Sequence, residues 1–298
     1  MLAAMFSSLP LTDKKLRVFV TGASGMLGAA VVEELKSRGH EPIPVTREEF
    51  DISDPMAVAR LIAAEFGALN AVINCAAYTA VDRAESEERE ATEVNGIGPS
   101  YLGRACSALS MPLIHISTDF VFDGNSDVPY QEEDPTNPLS VYGRSKLEGE
   151  RALAGNPAAR IVRTAWLYGP KGKCFPRTMV EAYRAGKSLR VVADQRGNPT
   201  YVPDLARTLI DVLEANVPPG IYHAVGPETT TWHDFAIRAI RAATGEDAEI
   251  TPVTTAEYPT PAVRPKNSAL ADTKLGLWKI GPMRPLDEAL ADWASKLA

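Results

Sequence analysis

The chain opens its regular pattern at residues 16–21, a short, mostly apolar run that ends in Gly22-Ala23-Ser24-Gly25-Met26-Leu27-Gly28. Such a run predicts a buried strand turning into a helix, in which Leu27, Val31 and Leu35 share one face and Gly39 ends the element. The pattern then repeats, with a strand over residues 42–46, a helix over 56–66 and a strand over 71–75. A long helical stretch over 93–108 precedes a strand over 113–117, and a helix starting near Tyr142 leads to a strand over 161–164. Strands and helices that alternate with short connections predict an α/β fold: a doubly wound, parallel Rossmann sheet with helices on both faces. Ligands of such a sheet bind at the carboxyl ends of its strands.

Beyond Thr164 prolines crowd the chain, and three further helices are predicted over 204–215, 232–243 and 286–297. We expect a smaller, mostly C-terminal α/β lobe that closes over a ligand. The expected division gives residues 14–168 and 190–225 to the dinucleotide-binding domain, and residues 169–189 and 226–298 to the substrate lobe. No internal repeat or low-complexity linker interrupts it.

With 298 residues and 45% hydrophobic content the chain can bury a full core. Its 31 basic against 38 acidic residues give a net charge of -7, and no basic stripe interleaved with aromatics is present, so nucleic acid is not an expected partner. No apolar run approaches the roughly 18 residues of a membrane span. The first fifteen residues place little basic charge ahead of an apolar stretch that Pro10 and Asp13 soon interrupt, which argues against a secretory signal. Cys75, Cys106 and Cys174 form no CxxC pair, so we expect free thiols and a cytoplasmic protein.

Gly22, Gly25 and Gly28 let backbone amides and the positive end of a helix meet a pyrophosphate, with Ser24, Met26 and Leu27 in the same loop. The spacing is GxxGxxG, and a purely structural turn is the competing reading. In many NAD-selective enzymes an acidic residue roughly 20 positions further on holds the adenosine ribose. Thr46 and Arg47 stand there instead. Arg47 suits a 2'-phosphate, which favours NADPH; Glu48 and Glu49 next door keep NADH open, and a solvated loop charge is the alternative. Asp51, with Ile52 beside it, is placed for the adenine edge, while Asp54 caps the next helix. Ala76, Ala77, Tyr78 and Thr79 follow the third strand and would lie along the diphosphate-ribose, unless they are only a packed strand end. Asn95 lies in a helix approaching the same region and either supports the active-site backbone or does not.

Tyr142 and Lys146 are four residues apart on a predicted helix and share a face. A phenol with an ordinary pKa of about 10 donates sluggishly at neutral pH, and a nearby ammonium is expected to lower that value. The pair can then protonate a developing alkoxide. Thr118 and Asp119, at the end of the fourth strand, are placed to orient a ketone and to accept hydrogen bonds from substrate hydroxyls; a strand end followed by a turn is the plainer reading.

Together these stretches resemble the extended short-chain dehydrogenases, and within them the dTDP-4-dehydrorhamnose reductases. Further matching stretches are residues 74–82, 117–124 and 163–169, Asp194-Gln195 with Pro199-Thr200, and residues 264–268. The resemblance implies hydride transfer from a nicotinamide to C4 of a 4-keto-6-deoxy sugar, giving dTDP-L-rhamnose. It implies Tyr142 as proton donor, Lys146 on the nicotinamide ribose, Thr118 on the reacting oxygen, and Asp119 and Trp166 on the substrate, with an ordinary core aromatic as the alternative for Trp166.

Sugar 4,6-dehydratases carry Asp-Glu after the threonine, whereas here Phe120 fills the second place. A phenyl ring moves no protons, which favours reduction over elimination. Epimerases, and a non-catalytic regulatory subunit like that of methionine adenosyltransferase, are the remaining alternatives. The exact sugar, the oligomeric state, with which a homodimer is compatible, and any magnesium requirement are not fixed by these residues.

Overall fold

Apolar residues on alternate positions of β1 (Arg17–Thr21) part to opposite sides: Val18 and Val20 pack on one face of a sheet and Phe19 on the other. This sheet organises the computed structural model, which describes residues 14–64 and 68–297. After β1 come α1 (Met26–Ser37), β2 (Glu41–Val45), α2 (Pro55–Ala64) and β3 (Ala71–Asn74). Two short helices, α3 (Val81–Ala84) and α4 (Glu88–Thr92), run through a π-helical stretch, Glu93–Ile97, into α5 (Gly98–Ala108). Then follow β4 (Leu113–Thr118), α6 (Val141–Leu153), β5 (Ala159–Thr164) and β6 (Leu167–Tyr168). The remainder comprises α7 (Phe175–Arg184), β7 (Leu189–Val192), β8 (Arg196–Gly197), β9 (Thr200–Tyr201), α8 (Val202–Glu214), β10 (Gly220–His223), β11 (Thr230–Thr231), α9 (Trp232–Thr244), β12 (Ile250–Val253) and α10 (Leu286–Ser295).

The six-stranded sheet has the order β10-β5-β4-β3-β1-β2, and every pairing in it is parallel. The winding reverses between β1 and β3, so the crevice expected of a doubly wound sheet opens there, outside the carboxyl ends of the strands. Register sets the end of β1 beside that of β3, Thr21 with Asn74, and sets Asn74 beside His115, while β4 and β5 run three residues further and end together at Thr118 and Thr164. β2 holds Pro42 and Pro44 and lies at the sheet edge, where missing N–H donors are tolerated. On one face Val31 and Leu35 of α1 pack with Leu205 and Leu209 of α8; on the other, Leu102 and Cys106 of α5 pack with Leu153 and Ile161. Each fully buried leucine of this kind contributes about 2 kcal/mol of apolar burial.

A separate apolar cluster joins Val180 of α7, Val191 of β7, Phe235 and Ile240 of α9, and Leu290 and Trp293 of α10. Here β7 pairs with β12, away from the large sheet. The Trp293 indole N–H is satisfied by the carbonyl of Gly169 at 3.0 Å.

Several elements differ from the sequence expectation. The predicted 93–108 helix is interrupted by the π-helical stretch, and the last helix ends at Ser295, two residues before its predicted end. The predicted end of the second helix at Phe66 lies outside the described residues. The helix expected from Asp204 starts at Val202, because Pro203 needs no N–H partner in a first turn. The short helices α3 and α4 and the short strands β6–β9, β11 and β12 were not anticipated, nor were α7, whose start carries Pro176, and β10, a four-residue strand that follows Pro218 and Pro219 yet completes the large sheet.

Candidate active site

At the end of β1 the backbone turns through Gly22 with φ of 64°, where a Cβ would lie 2.7 Å from the Ala76 nitrogen. A Cβ on Gly28 would lie 2.2 Å from the Gly22 carbonyl oxygen. No real side chain fits either contact. Helix α1 starts at Met26 with Gly25 as its N-cap, and no side chain bonds its first-turn amides. Those donors and the helix dipole therefore face an open space that suits a diphosphate.

That space is one end of a cleft of about 810 Å³. Its walls include every residue singled out for the site: Gly22, residues 24–28, Arg47, Asp51, Ile52, residues 76–79, Thr118, Asp119, Tyr142, Lys146 and Trp166. At the outer end Arg47 is exposed and paired with Glu90 at 2.9 Å. Asp51 accepts from the Ser53 backbone N–H at 2.8 Å and from its hydroxyl at 2.6 Å, so one carboxylate oxygen is engaged by its own turn.

Below the glycine loop runs a buried polar chain that the residue patterns did not single out. The Thr21 hydroxyl donates to Asn74 Oδ1 at 2.6 Å, and Asn74 Nδ2 lies 2.9 Å from His115 Nδ1. The Ala76 N–H also donates to Asn74 Oδ1 at 3.2 Å. With the amide thus oriented, His115 Nδ1 is the acceptor; burial, reinforced by the charge of Lys146, keeps the ring neutral by holding its pKa well below 6.5. Asn95 does support the site. Its Oδ1 accepts from the Tyr78 N–H at 2.9 Å, and its Nδ2 donates to the Tyr78 carbonyl and to Ser145 Oγ, both at 3.0 Å. One amide thereby ties the cofactor-side loop to α6.

Helix α6 begins at the Ser140 N-cap, whose hydroxyl accepts from the Gly143 N–H at 3.1 Å. Gly143 lets this first turn abut the β4 end: a Cβ there would lie 2.3 Å from the Phe120 carbonyl oxygen. The close approach brings Tyr142 beside Thr118, and both line the cleft. Thr118 also lies 3.1 Å from Asp119 Oδ1 and caps the following turn through the Phe120 N–H at 3.2 Å. Asp119 is buried, burial pushes its carboxyl up to about 6, and its Oδ2 has no hydrogen-bond partner among the described residues.

Lys146 is buried one turn further along α6, and its ammonium donates to the Ile116 carbonyl at 2.6 Å. Burial pulls its pKa down to about 8, against the opposing pull of Glu150. Glu150 in turn holds a bidentate ion pair with buried Arg163, at 2.9 and 2.7 Å, and accepts from the Ser117 hydroxyl at 2.5 Å.

One expectation needs correction. Lys146 does not make Tyr142 more acidic here; burial pushes the phenol up to about 12, and neighbouring Asp119 adds to it. The cause is depth together with the aim of the ammonium at Ile116. A phenol so placed holds its proton at neutral pH and is configured as a donor.

The remaining lining comes from distant parts of the chain. Trp166 adopts φ of 46° and stacks on Trp232 with centroids 3.5 Å apart. Lys173, Phe175 and Arg264 complete this side, and Arg264 is held by both oxygens of Asp82 at 2.9 Å. Trp232, Phe175 and Lys173 carry no local spacing that could have marked them. Among the described residues no group of three or more His, Cys, Asp or Glu side chains could hold a metal ion, and no helix is long and apolar enough to cross a membrane.

Comparison with known proteins places this geometry. The RmlD substrate binding domain family matches residues 16–298. A dTDP-4-dehydrorhamnose reductase of Mycolicibacterium smegmatis is 41% identical over 280 residues, covering 93% of this chain and 84% of that protein. The crystal structure of a dTDP-4-dehydrorhamnose reductase from Clostridium acetobutylicum superposes with a TM-score of 0.89 at 40% identity, covering 95% of this chain and 99% of that one. A Bacillus anthracis dTDP-4-dehydrorhamnose reductase, solved in complex with NADP, gives 0.88 at 33% identity, covering 94% and 99%. With a family match from the first strand to the last helix and relatives of this similarity, the chain belongs to the RmlD substrate-binding-domain family of dTDP-4-dehydrorhamnose reductase-like proteins.

Proposed function

We propose that the protein reduces the C4 keto group of dTDP-4-dehydrorhamnose (dTDP-4-dehydro-6-deoxy-L-mannose) to give dTDP-L-rhamnose, with NADPH as reductant. The observation that carries this reading is that Tyr142 and Thr118 line the same cleft as the glycine loop. The names of the relatives and the NADP-bound B. anthracis structure support it.

The residues fit the cofactor. Gly22 and Gly28 let the end of β1, the backbone at Ala76 and the first turn of α1 close on one another, that first turn offers its amides, and Arg47 stands where a 2'-phosphate would replace Glu90 as its partner. Asp51 and Ile52 flank the adenine, and residues 76–79 line the ribose. NADH remains a weaker substitute. When bound, the dihydronicotinamide supplies the hydride. Thr118 holds the ketone oxygen, and Tyr142 gives that oxygen its proton as negative charge develops on it. Lys146 holds the nicotinamide ribose. Asp119 accepts from a sugar hydroxyl, and Trp166 packs against the sugar.

We divide the chain into a sheet domain and a lobe as expected from the sequence, except that β7 (Leu189–Val192) goes to the lobe, whose apolar cluster it shares: residues 14–168 and 193–225 form the sheet domain, and residues 169–192 and 226–298 the lobe. The reading also carries a homodimer, and a cytoplasmic setting in which Cys75, Cys106 and Cys174 remain thiols.

The test is to incubate the purified protein with NADPH and a panel of dTDP-keto-sugars, and to identify products by NMR. Conversion of dTDP-4-dehydrorhamnose to dTDP-L-rhamnose with stoichiometric NADPH oxidation is expected. Nucleotide binding without NADPH consumption would replace this reading with that of a regulatory subunit.

A further inference from the structure

Trp166 combines three features that an ordinary core indole does not need. Its backbone sits in the left-handed region, φ of 46°, which a bulky L residue adopts only where its surroundings impose it. Its carbonyl is pinned by the Thr200 N–H at 3.2 Å. The ring fits against Gly197, where a Cβ would lie 2.4 Å from the indole Cε2. The position of this side chain is therefore fixed from the backbone outward.

The ring plane is fixed by Trp232. The two indoles lie 3.5 Å apart at centroid and 7° from parallel, a face-on arrangement, whereas isolated aromatic pairs prefer an offset or an edge. Trp232 is itself held twice. It is the first residue of α9, behind the Thr231 N-cap whose hydroxyl accepts from the Asp234 N–H at 3.1 Å, and the edge of Phe175 packs on it at 4.7 Å. Both indoles line the same cleft as Tyr142 and Thr118.

We infer that Trp232 is a positioning residue for substrate: by stacking on Trp166 it fixes the indole plane against which the sugar packs. The inference rests on the proposed function, because it takes the ligand at Trp166 to be the sugar of a dTDP-sugar. Trp232 acts through Trp166 and touches neither the hydride nor the proton path, so its loss should weaken sugar binding and leave the chemistry of bound substrate intact.

The experiment measures dTDP-L-rhamnose and NADPH affinities by calorimetry, and keto-sugar KM and kcat by NADPH oxidation, in wild type, Trp232→Ala, Trp232→Phe, Trp232→Leu and Gly197→Ala. A stack of this kind predicts a roughly 3- to 10-fold rise in sugar Kd and KM for Trp232→Ala. NADPH Kd and kcat should stay within about twofold of wild type, since neither depends on the stack. Trp232→Phe keeps an aromatic face and should recover most of the loss, whereas Trp232→Leu should not. Gly197→Ala, displacing Trp166 from its other contact, should reproduce the Trp232→Ala phenotype.

If Trp232→Ala fails to fold, NADPH binding is lost with sugar binding, and the Phe and Leu variants, which both fill the space, decide the matter. Equal sugar affinity in those two, or an unchanged sugar KM in Trp232→Ala, overturns the inference while wild-type turnover leaves the proposed function standing. Absence of keto-sugar turnover in wild type overturns that function instead, and is read from a separate arm.

Discussion

Replacing Lys146 by methionine should make the ligand-free protein more stable at neutral pH while ending its chemistry. Methionine fills much of the lysine stem's volume and carries no charge to bury. The fall of the Lys146 pKa from 10.5 to about 8 corresponds to about 3 kcal/mol by which the fold disfavours the ammonium. Losing the bond to the Ile116 carbonyl returns about 1 kcal/mol of that, leaving a net gain of about 2 kcal/mol. The sign with pH follows from proton counts. Below about pH 8 both states hold the proton and the full penalty is present; between about 8 and 10.5 the folded state releases it first, so wild-type stability rises; above 10.5 the penalty is gone. Urea unfolding without cofactor, at about pH 7 and about pH 10.5, should show the variant ahead at the first and level with or slightly behind wild type at the second. A variant no more stable than wild type at neutral pH, or a gap that does not change with pH, would refute the claim that burial governs this ammonium.

Tyr142→Phe should bind NADPH normally yet lose about 10²- to 10⁴-fold in kcat, as followed by NADPH oxidation; near-wild-type turnover would remove Tyr142 from the proton path. Gly28→Ala forces a Cβ to within 2.2 Å of the Gly22 carbonyl, so calorimetry should find NADPH affinity reduced and thermal melts a loss of about 1–3 kcal/mol. Arg47→Ala should weaken NADPH roughly tenfold and NADH little, and equal losses for both would show that Arg47 does not read the 2'-phosphate. Glu150→Gln leaves the buried Arg163 charge without its counter-ion, and urea unfolding should register a loss of about 3–5 kcal/mol.

How much of this was legible beforehand depended on distance along the chain. The β1-glycine-α1 unit and the Tyr142–Lys146 pair are local, and their residue types state both geometry and chemistry within one strand-turn-helix or one helical turn. Thr118 and Asp119 were legible because a strand end in a parallel sheet faces the crevice. The aromatic part of the lining was not: Trp232 and Phe175 start helices far apart in sequence, and only the packing of the lobe brings them to Trp166. The Thr21–Asn74–His115 chain was hidden for another reason, since Thr21 and Asn74 are single polar residues ending β1 and β3 and His115 sits midway along β4, with no spacing that ties the three together. The Tyr142 acidity was misjudged because spacing reports neighbours along a helix, while the pKa answers to depth and to where the ammonium points.

The π-helical stretch at Glu93–Ile97 resolves a conflict of orientation within one rod of helix. A regular helix advances about 100° per residue, so inserting one residue in a turn slips everything ahead of it out of phase with everything behind. Downstream of the slip, Leu102 and Cys106 lie against the sheet; within it, the Asn95 amide reaches the Tyr78 backbone and Ser145. A single helical span thus seats itself in the interior and also braces the crevice, with the spacing between the nucleotide-side loop and the tyrosine helix set by the reach of one carboxamide.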